Sequence, residues 1–378
     1  MFASVLYTGS MQVHELFDGY TTEIDGMTCY FAGLPGYPRN FSRDTIISGI
    51  IAADHHLLDN QLAMSYLHQG KKIDILTGEE PGKIHHEYPG VIWRAPYYTT
   101  YNACDTTALY LTGLEFLRHL NKRESTEFLN THQASIESAL DYLLSHLKDD
   151  IFWETPPDGA EQYSIRVTYW KDSIVPSTTG KEEPRYPVTF ALAHFQVARG
   201  ILGAANLLER DDLHDLADRM FTAGIAKFMS EDAFCIEEDG DGRLEQVSSD
   251  EVHALAYIPR RYAKQLPLEA IKRRVQDLIT VTGIACTPQA IGETLSDTYH
   301  GYVVWVFEQA MIHYGCEKFG LHDIARITER CVPHIDTGHE ILTVTPKVAP
   351  RGNSHQLWSV AAKIYFSDAH SLRQTKWL

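Results

Sequence analysis

Helical periodicity, broken at intervals by polar, aromatic-rich loops, most restricts the folds open to this chain. In "TTALYLTGLEFLRHL" (106–120), Ala108, Leu111, Leu114, Leu117 and Leu120 recur at three-residue steps and their neighbours widen the stripe. That is the spacing of a helix burying one face. The same reading predicts helices over 132–147, 188–209 and 266–283, and two over 303–332 broken near Gly320. Strand signals are thin: "DAFCIEEDGDGRLEQV" reads as a short hairpin around "DGDG".

The loops carry the plan. Polar motifs stand at "RNFSRDT" (39–45), "YNACDTT" (101–107), "YWKDS" (169–173), "SSDEVH" (248–253), "DTYHGYVVW" (297–305) and "PRGNSHQLW" (350–358), each running into a helical pattern. Their spacing of roughly 50 to 80 residues is about two helices plus loops. A chain that returns to one end after every helix pair forms a ring of helical hairpins. Six loops imply six hairpins: an all-α (α/α)6 barrel, or six-hairpin toroid, with short hairpin insertions. Nothing resembling a Gly/Ser/Pro linker divides residues 1–378, so a single catalytic domain is expected.

Composition excludes several partners. The net charge of −17 opposes nonspecific nucleic-acid binding, which needs clustered Lys and Arg, and opposes an anionic membrane surface. No apolar run reaches transmembrane length. The first residues lack a basic stretch followed by a long apolar core, and the six cysteines form no CxxC pair; both point to a reducing, cytoplasmic setting. Nothing in the sequence sets an oligomeric state. A neutral ligand meets no charge penalty, and many of the 20 Tyr and 6 Trp sit beside Asp, Glu, His or Arg. Such neighbours suit stacking on sugar faces, though amphipathic aromatics also simply cap cores.

Each motif has two readings. Asp105 opens an apolar-periodic run, as a helix N-cap or as a carboxyl at a barrel mouth, lifted by burial among Tyr97, Tyr98 and Tyr101. Glu340 is a solvated loop residue or the second carboxyl of an acid/base pair. Arg43 and Asp44 form an ion pair at a helix start or bind hydroxyls. In "GEEPGKIHHEYPG" (78–90) Glu80, His85 and Glu87 make a weak metal constellation, since zinc sites favour HExxH-type spacing. A substrate-holding loop is the preferred reading, and neither a metal nor another cofactor is expected.

Taken together, these motifs resemble the amylo-α-1,6-glucosidase domain of glycogen-debranching enzymes and its bacterial relatives, among the inverting (α/α)6 glycosidases. "YFAGLPGYPRNFSRDTII" resembles "AGxPWF…FGRDTLI", "GKIHHE" resembles "GKIPHE", "NACDTTALYL" resembles "SVDATPLFL", and "YWKDS" resembles "QGWKDS". "SSDEVHALAYI", "YHGYVVWVFEQAMI" and "HEILTVTPKVAPRGNSHQLWSVAA" follow in family order. The resemblance implies Asp105 as general acid and Glu340 as general base. It implies a sugar pocket lined by Arg43, Asp44, Lys83, His85, Glu87, Trp170, Lys171, Asp172, His300 and Trp305, to which Tyr101, Tyr299 and Trp358 of the same loops are added. The expected reaction is inverting release of a terminal sugar, glucose in view of the family, from a small carbohydrate. Departures such as "WVFEQA" for "WPHDNA" place a small α-glucoside or oligosaccharide beside polymeric glycogen as the expected substrate. A phosphorylase, a sugar epimerase or isomerase, and a non-catalytic oligosaccharide binder are the competing expectations.

Overall fold

The computed structural model describes residues 13–175, 181–335, 338–367, 371–375 and 377. It is helix-rich. The helices are α1 (Ser42–Ala52), α2 (His55–Leu67), α3 (Thr106–Leu120), α4 (Lys122–Ser145), α5 (Ala191–Leu208), α6 (Asp211–Phe228), α7 (Asp250–Ala254), α8 (Leu268–Arg274), α9 (Gln289–Gly292), α10 (Val306–Lys318), α11 (His322–Thr328), α12 (Val332–Ile335) and α13 (Leu357–Phe366).

Six of them touch in a closed order: α1 packs on α3, α3 on α5, α5 on α7, α7 on α10, α10 on α13, and α13 on α1. Their composition fits an inner position. All of α1 is buried, and α5 and α10 expose almost nothing. A helix apolar or buried all round must lie inside a protein. By contrast α4 and α6, which pack on α3 and α5, bury only a stripe. Close approach within the inner set has a local cause at Gly200 of α5, where a Cβ would lie 2.7 Å from the Ala108 carbonyl oxygen of α3.

Short strands introduce four of the six inner helices. Asn40–Phe41 leads into α1 and pairs with Glu87–Tyr88, and Thr189–Phe190 leads into α5 and pairs with Cys235–Asp239. Val303–Trp305 leads into α10 and pairs with Ile341–Thr343, while His355–Gln356 leads into α13 and pairs with Gly33–Leu34. Pairing distant segments this way pins the loops at the N-terminal ends of the inner helices.

The expected hairpin around "DGDG" is present as Cys235–Asp239 against Gly242–Glu245. Two expectations shift. The helix predicted over 266–283 ends its α-helical part at Arg274 and becomes a 3-10 turn, after which Ile279 pairs back on Ile284. Ser42–Thr45 and Asp250–His253, read as loop, form the first turns of α1 and α7. The six cysteines are buried and unbridged. Among the described residues no helix is long and apolar enough to cross a membrane.

Candidate active site

The site is built around Arg43, in the first turn of α1. Extended Phe41 brings the chain in, and both Arg43 and Asp44 are buried as the helix begins. The Arg43 guanidinium donates from Nε to Asp105 Oδ2 at 2.8 Å, from Nη2 to the Thr168 carbonyl at 3.2 Å, and from Nη1 to Asp172 Oδ2 at 3.4 Å. His86 Nε2 lies 3.5 Å from Nη1 and 3.9 Å from Asp172 Oδ2. Burial and the Arg43 charge push this imidazole well below its usual range, so it stays neutral.

The two aspartates sharing Arg43 are unlike. Asp105 occupies the N-cap position of α3, but its carboxylate makes no cap hydrogen bond and turns to Arg43 instead. Its side chain is 0% exposed. The Asp172 side chain is 28% exposed. Burial pushes Asp172 up to about 6, with Arg43 opposing and the Asp105 charge adding to the rise.

Glu340 approaches from the other side, just before the strand Ile341–Thr343. It accepts from the Asn353 backbone N–H at 3.2 Å and from the Tyr299 hydroxyl. Burial lifts it to about 7, those two hydrogen bonds oppose the rise, and the Asp172 charge adds to it. The loop at 350–353 closes on it because Gly352 holds φ 77°, and a Cβ there would collide with Glu340 Oε2. The Tyr299 hydroxyl also meets the Tyr37 hydroxyl at 3.2 Å. Burial pushes up both the Tyr37 phenol and Asp44; the charges of Glu340, Asp172 and Asp44 add to the rise at Tyr37, and those of Glu340 and Asp172 to the rise at Asp44. Four acidic or phenolic loops thus converge on one space, with Gln356 donating to Asp44 at 3.2 Å.

Of the residues singled out in the sequence, Arg43, Asp44, Asp105, Asp172, Tyr299 and Glu340 are brought together here. The others stand behind or beside this space. Lys83 is wholly buried, donating to Tyr163 at 2.8 Å and pairing with Glu154 at 3.3 Å. His85 bonds Asn40 at 3.0 Å, and Glu87 takes Arg39 at 2.6 Å and the Thr99 hydroxyl. The Tyr101 hydroxyl caps the His68 carbonyl at 2.8 Å. Trp170 donates to Asp250 at 3.1 Å and meets Trp305 and His300 edge-on. Trp305 stacks on His300, whose Nδ1 bonds Ser173 at 2.9 Å, and Trp358 stacks on Phe307. These contacts fix the loops, and they leave His85 Nδ1, His300 Nε2 and Trp358 Nε1 without a hydrogen-bond partner.

Sequence reading passed over Tyr37, His86, Asn353 and Gln356. A signal existed for His86: along an extended segment alternate side chains point oppositely. Lys83, His85 and Glu87 bond Glu154, Asn40 and Arg39, whereas His86 lies beside Arg43 and Asp172.

One further cluster has metal-ligand chemistry. Among the described residues, Asp250, His253 and Glu308 place ligand atoms within 4.8 Å of one another, all buried. The Lys171 ammonium reaches the same place, 3.1 Å from Asp250 and bonded to Ser248 and Ser249 at 3.0 and 2.8 Å. It already supplies a cation to these carboxylates, so the residues fit an organic ion pair better than a metal.

No protein-family profile matches the chain, and no curated protein matches it. Solved structures do. A GH63 mannosylglycerate hydrolase from Thermus thermophilus, in complex with Tris and D-glycerate, superposes with a TM-score of 0.65 at 11% identity, over 93% of this chain and 98% of that one. The same hydrolase in complex with glucose matches to the same extent. An uncharacterized conserved protein from the same organism matches with a TM-score of 0.63 at 11% identity, over the same shares. The chain shares their fold.

Proposed function

We propose that this chain is a glycoside hydrolase, a single catalytic domain on an (α/α)6 toroid, with Asp172 as general acid and Glu340 as general base. The observation that carries the reading is a pair of carboxyls from different loops within electrostatic reach of each other, Asp172 28% exposed and Glu340 buried. An aglycone departs toward solvent, so the acid that protonates its oxygen belongs at the mouth. Asp172 is there. The base must hold a water on the opposite face of the sugar, inside the site, where Glu340 is fixed by Asn353 and Tyr299.

The role that the resemblance implied for Asp105 passes to Asp172 in this reading. Asp105 is sealed behind Arg43 and has no open face toward a sugar. In the proposed step, protonated Asp172 gives its proton to the glycosidic oxygen as the C–O bond breaks. Water attacks the anomeric carbon from the other face, and ionised Glu340 takes its proton. The products are the free alcohol and a sugar of inverted anomeric configuration.

The sugar is proposed to be a terminal hexose. Glucose is favoured by the sequence resemblance and mannose by the mannosylglycerate hydrolase that shares the fold, so α-glucosides and α-mannosides, including those of glycerate, form the substrate panel. The "WKDS" motif supports the reading as well, since its Asp is the one at the mouth.

Asp172→Asn and Glu340→Gln should each lower turnover at least about a hundredfold. In Asp172→Asn, a glycosyl fluoride, whose leaving group needs little protonation, should regain most of the loss. Near-normal turnover of ordinary glycosides by Asp172→Asn would refute the assignment.

A further inference from the structure

Arg43 serves two carboxylates unequally. Its contact to Asp105 is close at 2.8 Å, and its contact to Asp172 is loose at 3.4 Å. The guanidinium is sealed from solvent, so neither contact is exchanged for water. We infer that Asp105 is a positioning residue, the counter-charge that occupies Arg43 and so leaves Asp172 able to carry a proton. The inference rests on Asp172 being the proton donor proposed above.

The physical case is one of competition. A buried Arg43 with no other anion would turn its full charge on Asp172 and hold it ionised, useless as an acid. Asp105 acts twice against that: it neutralises the cation, and its own negative charge disfavours a second one nearby. The other groups facing Asp172 do not substitute for it. His86 is neutral, and Tyr37 is held un-ionised by burial, with its acidic neighbours adding to it. Asp44, the next residue to Arg43, also feels its charge, but burial pushes its carboxyl well up against that attraction and it accepts from Gln356; Glu340 is held by Asn353 and Tyr299. The adjacent Lys171 directs its ammonium to Asp250. The three residues come from α1, the start of α3 and the "WKDS" loop, so the arrangement also ties three of the hairpins to one cation.

The test reads the charge of Asp172 directly. Protein labelled with 13C at aspartate carboxyls is titrated by NMR, the Asp172 signal being identified by its loss in Asp172→Asn. The wild type should titrate near pH 6. Asp105→Asn should move the midpoint down by at least about one unit. The double variant Arg43→Met with Asp105→Asn removes both charges, and because the cation outweighs the anion at Asp172, its midpoint should move up. Opposite shifts are not the mark of loosened packing. An unmoved or raised midpoint in Asp105→Asn would overturn the inference. Where that variant does not fold, the double variant, which removes the buried Arg43–Asp105 pair together, decides: a midpoint unmoved or lowered overturns it. Because the titration needs no substrate, its outcome is separate from the fate of the proposed reaction. Full turnover in Asp172→Asn would sink that reading while leaving the charge measurement intact.

Discussion

Removing the Tyr299 hydroxyl should damage the reaction at one end of the pH range only. The reactive form has Asp172 protonated and Glu340 ionised; the pair carries one proton between about 6 and about 7, mostly on Glu340, so the reactive form is the minor arrangement of that proton. A bell-shaped profile of kcat/KM centred between those values follows. On the acidic side the dominant enzyme is doubly protonated, and the reactive form arises by ionising Glu340. Its fraction there scales with the acidity of Glu340 alone. On the alkaline side it arises by protonating Asp172, so Glu340 drops out. Tyr299 donates to Glu340 and favours its ionised form. A hydrogen bond to a charged group is worth about 1.5–3 kcal/mol. With the Asn353 N–H still in place, a loss at the low end of that range corresponds to a rise of about one pKa unit. Tyr299→Phe should therefore cut kcat/KM about tenfold at pH 5 and leave it within about twofold at pH 9. The assay is initial rates across that range on the best glycoside of the panel. An equal loss at every pH would refute the argument and make Tyr299 a simple binding contact.

Two predictions concern groups placed away from the chemistry. Lys83→Met leaves Glu154 buried without its cation, so it should cost about 3–5 kcal/mol of stability in denaturant unfolding, with KM of the folded variant unchanged; a large KM increase would return Lys83 to the sugar site. Gly200→Ala inserts a methyl 2.7 Å from the Ala108 carbonyl oxygen, where backbone faces backbone. It should destabilise by about 1–3 kcal/mol, and a neutral result in thermal melting would contradict the close α3–α5 approach.

What the sequence disclosed follows from what is local. The α3 stripe is visible because its period is set by neighbours three and four apart, and the observed helix, Thr106–Leu120, has the bounds read from it. Loop spacing pointed to a ring of helices, and six helices do touch in a closed order. The two-residue strands were invisible, since pairs such as Asn40–Phe41 with Glu87–Tyr88 have no period to detect. Choosing between Asp105 and Asp172 was beyond local reading for another reason. Both precede or sit in polar loops, and what separates them is burial by Arg43, which lies 62 residues from one and 129 from the other.

The most direct measurement is proton NMR of the protein mixed with α-linked glucosides and mannosides, following the anomer first released. The Asp172–Glu340 account predicts that the β-anomer appears first and mutarotates to the equilibrium mixture. The α-anomer appearing first would contradict it, because retention requires a covalent nucleophile where this account places a water-activating base.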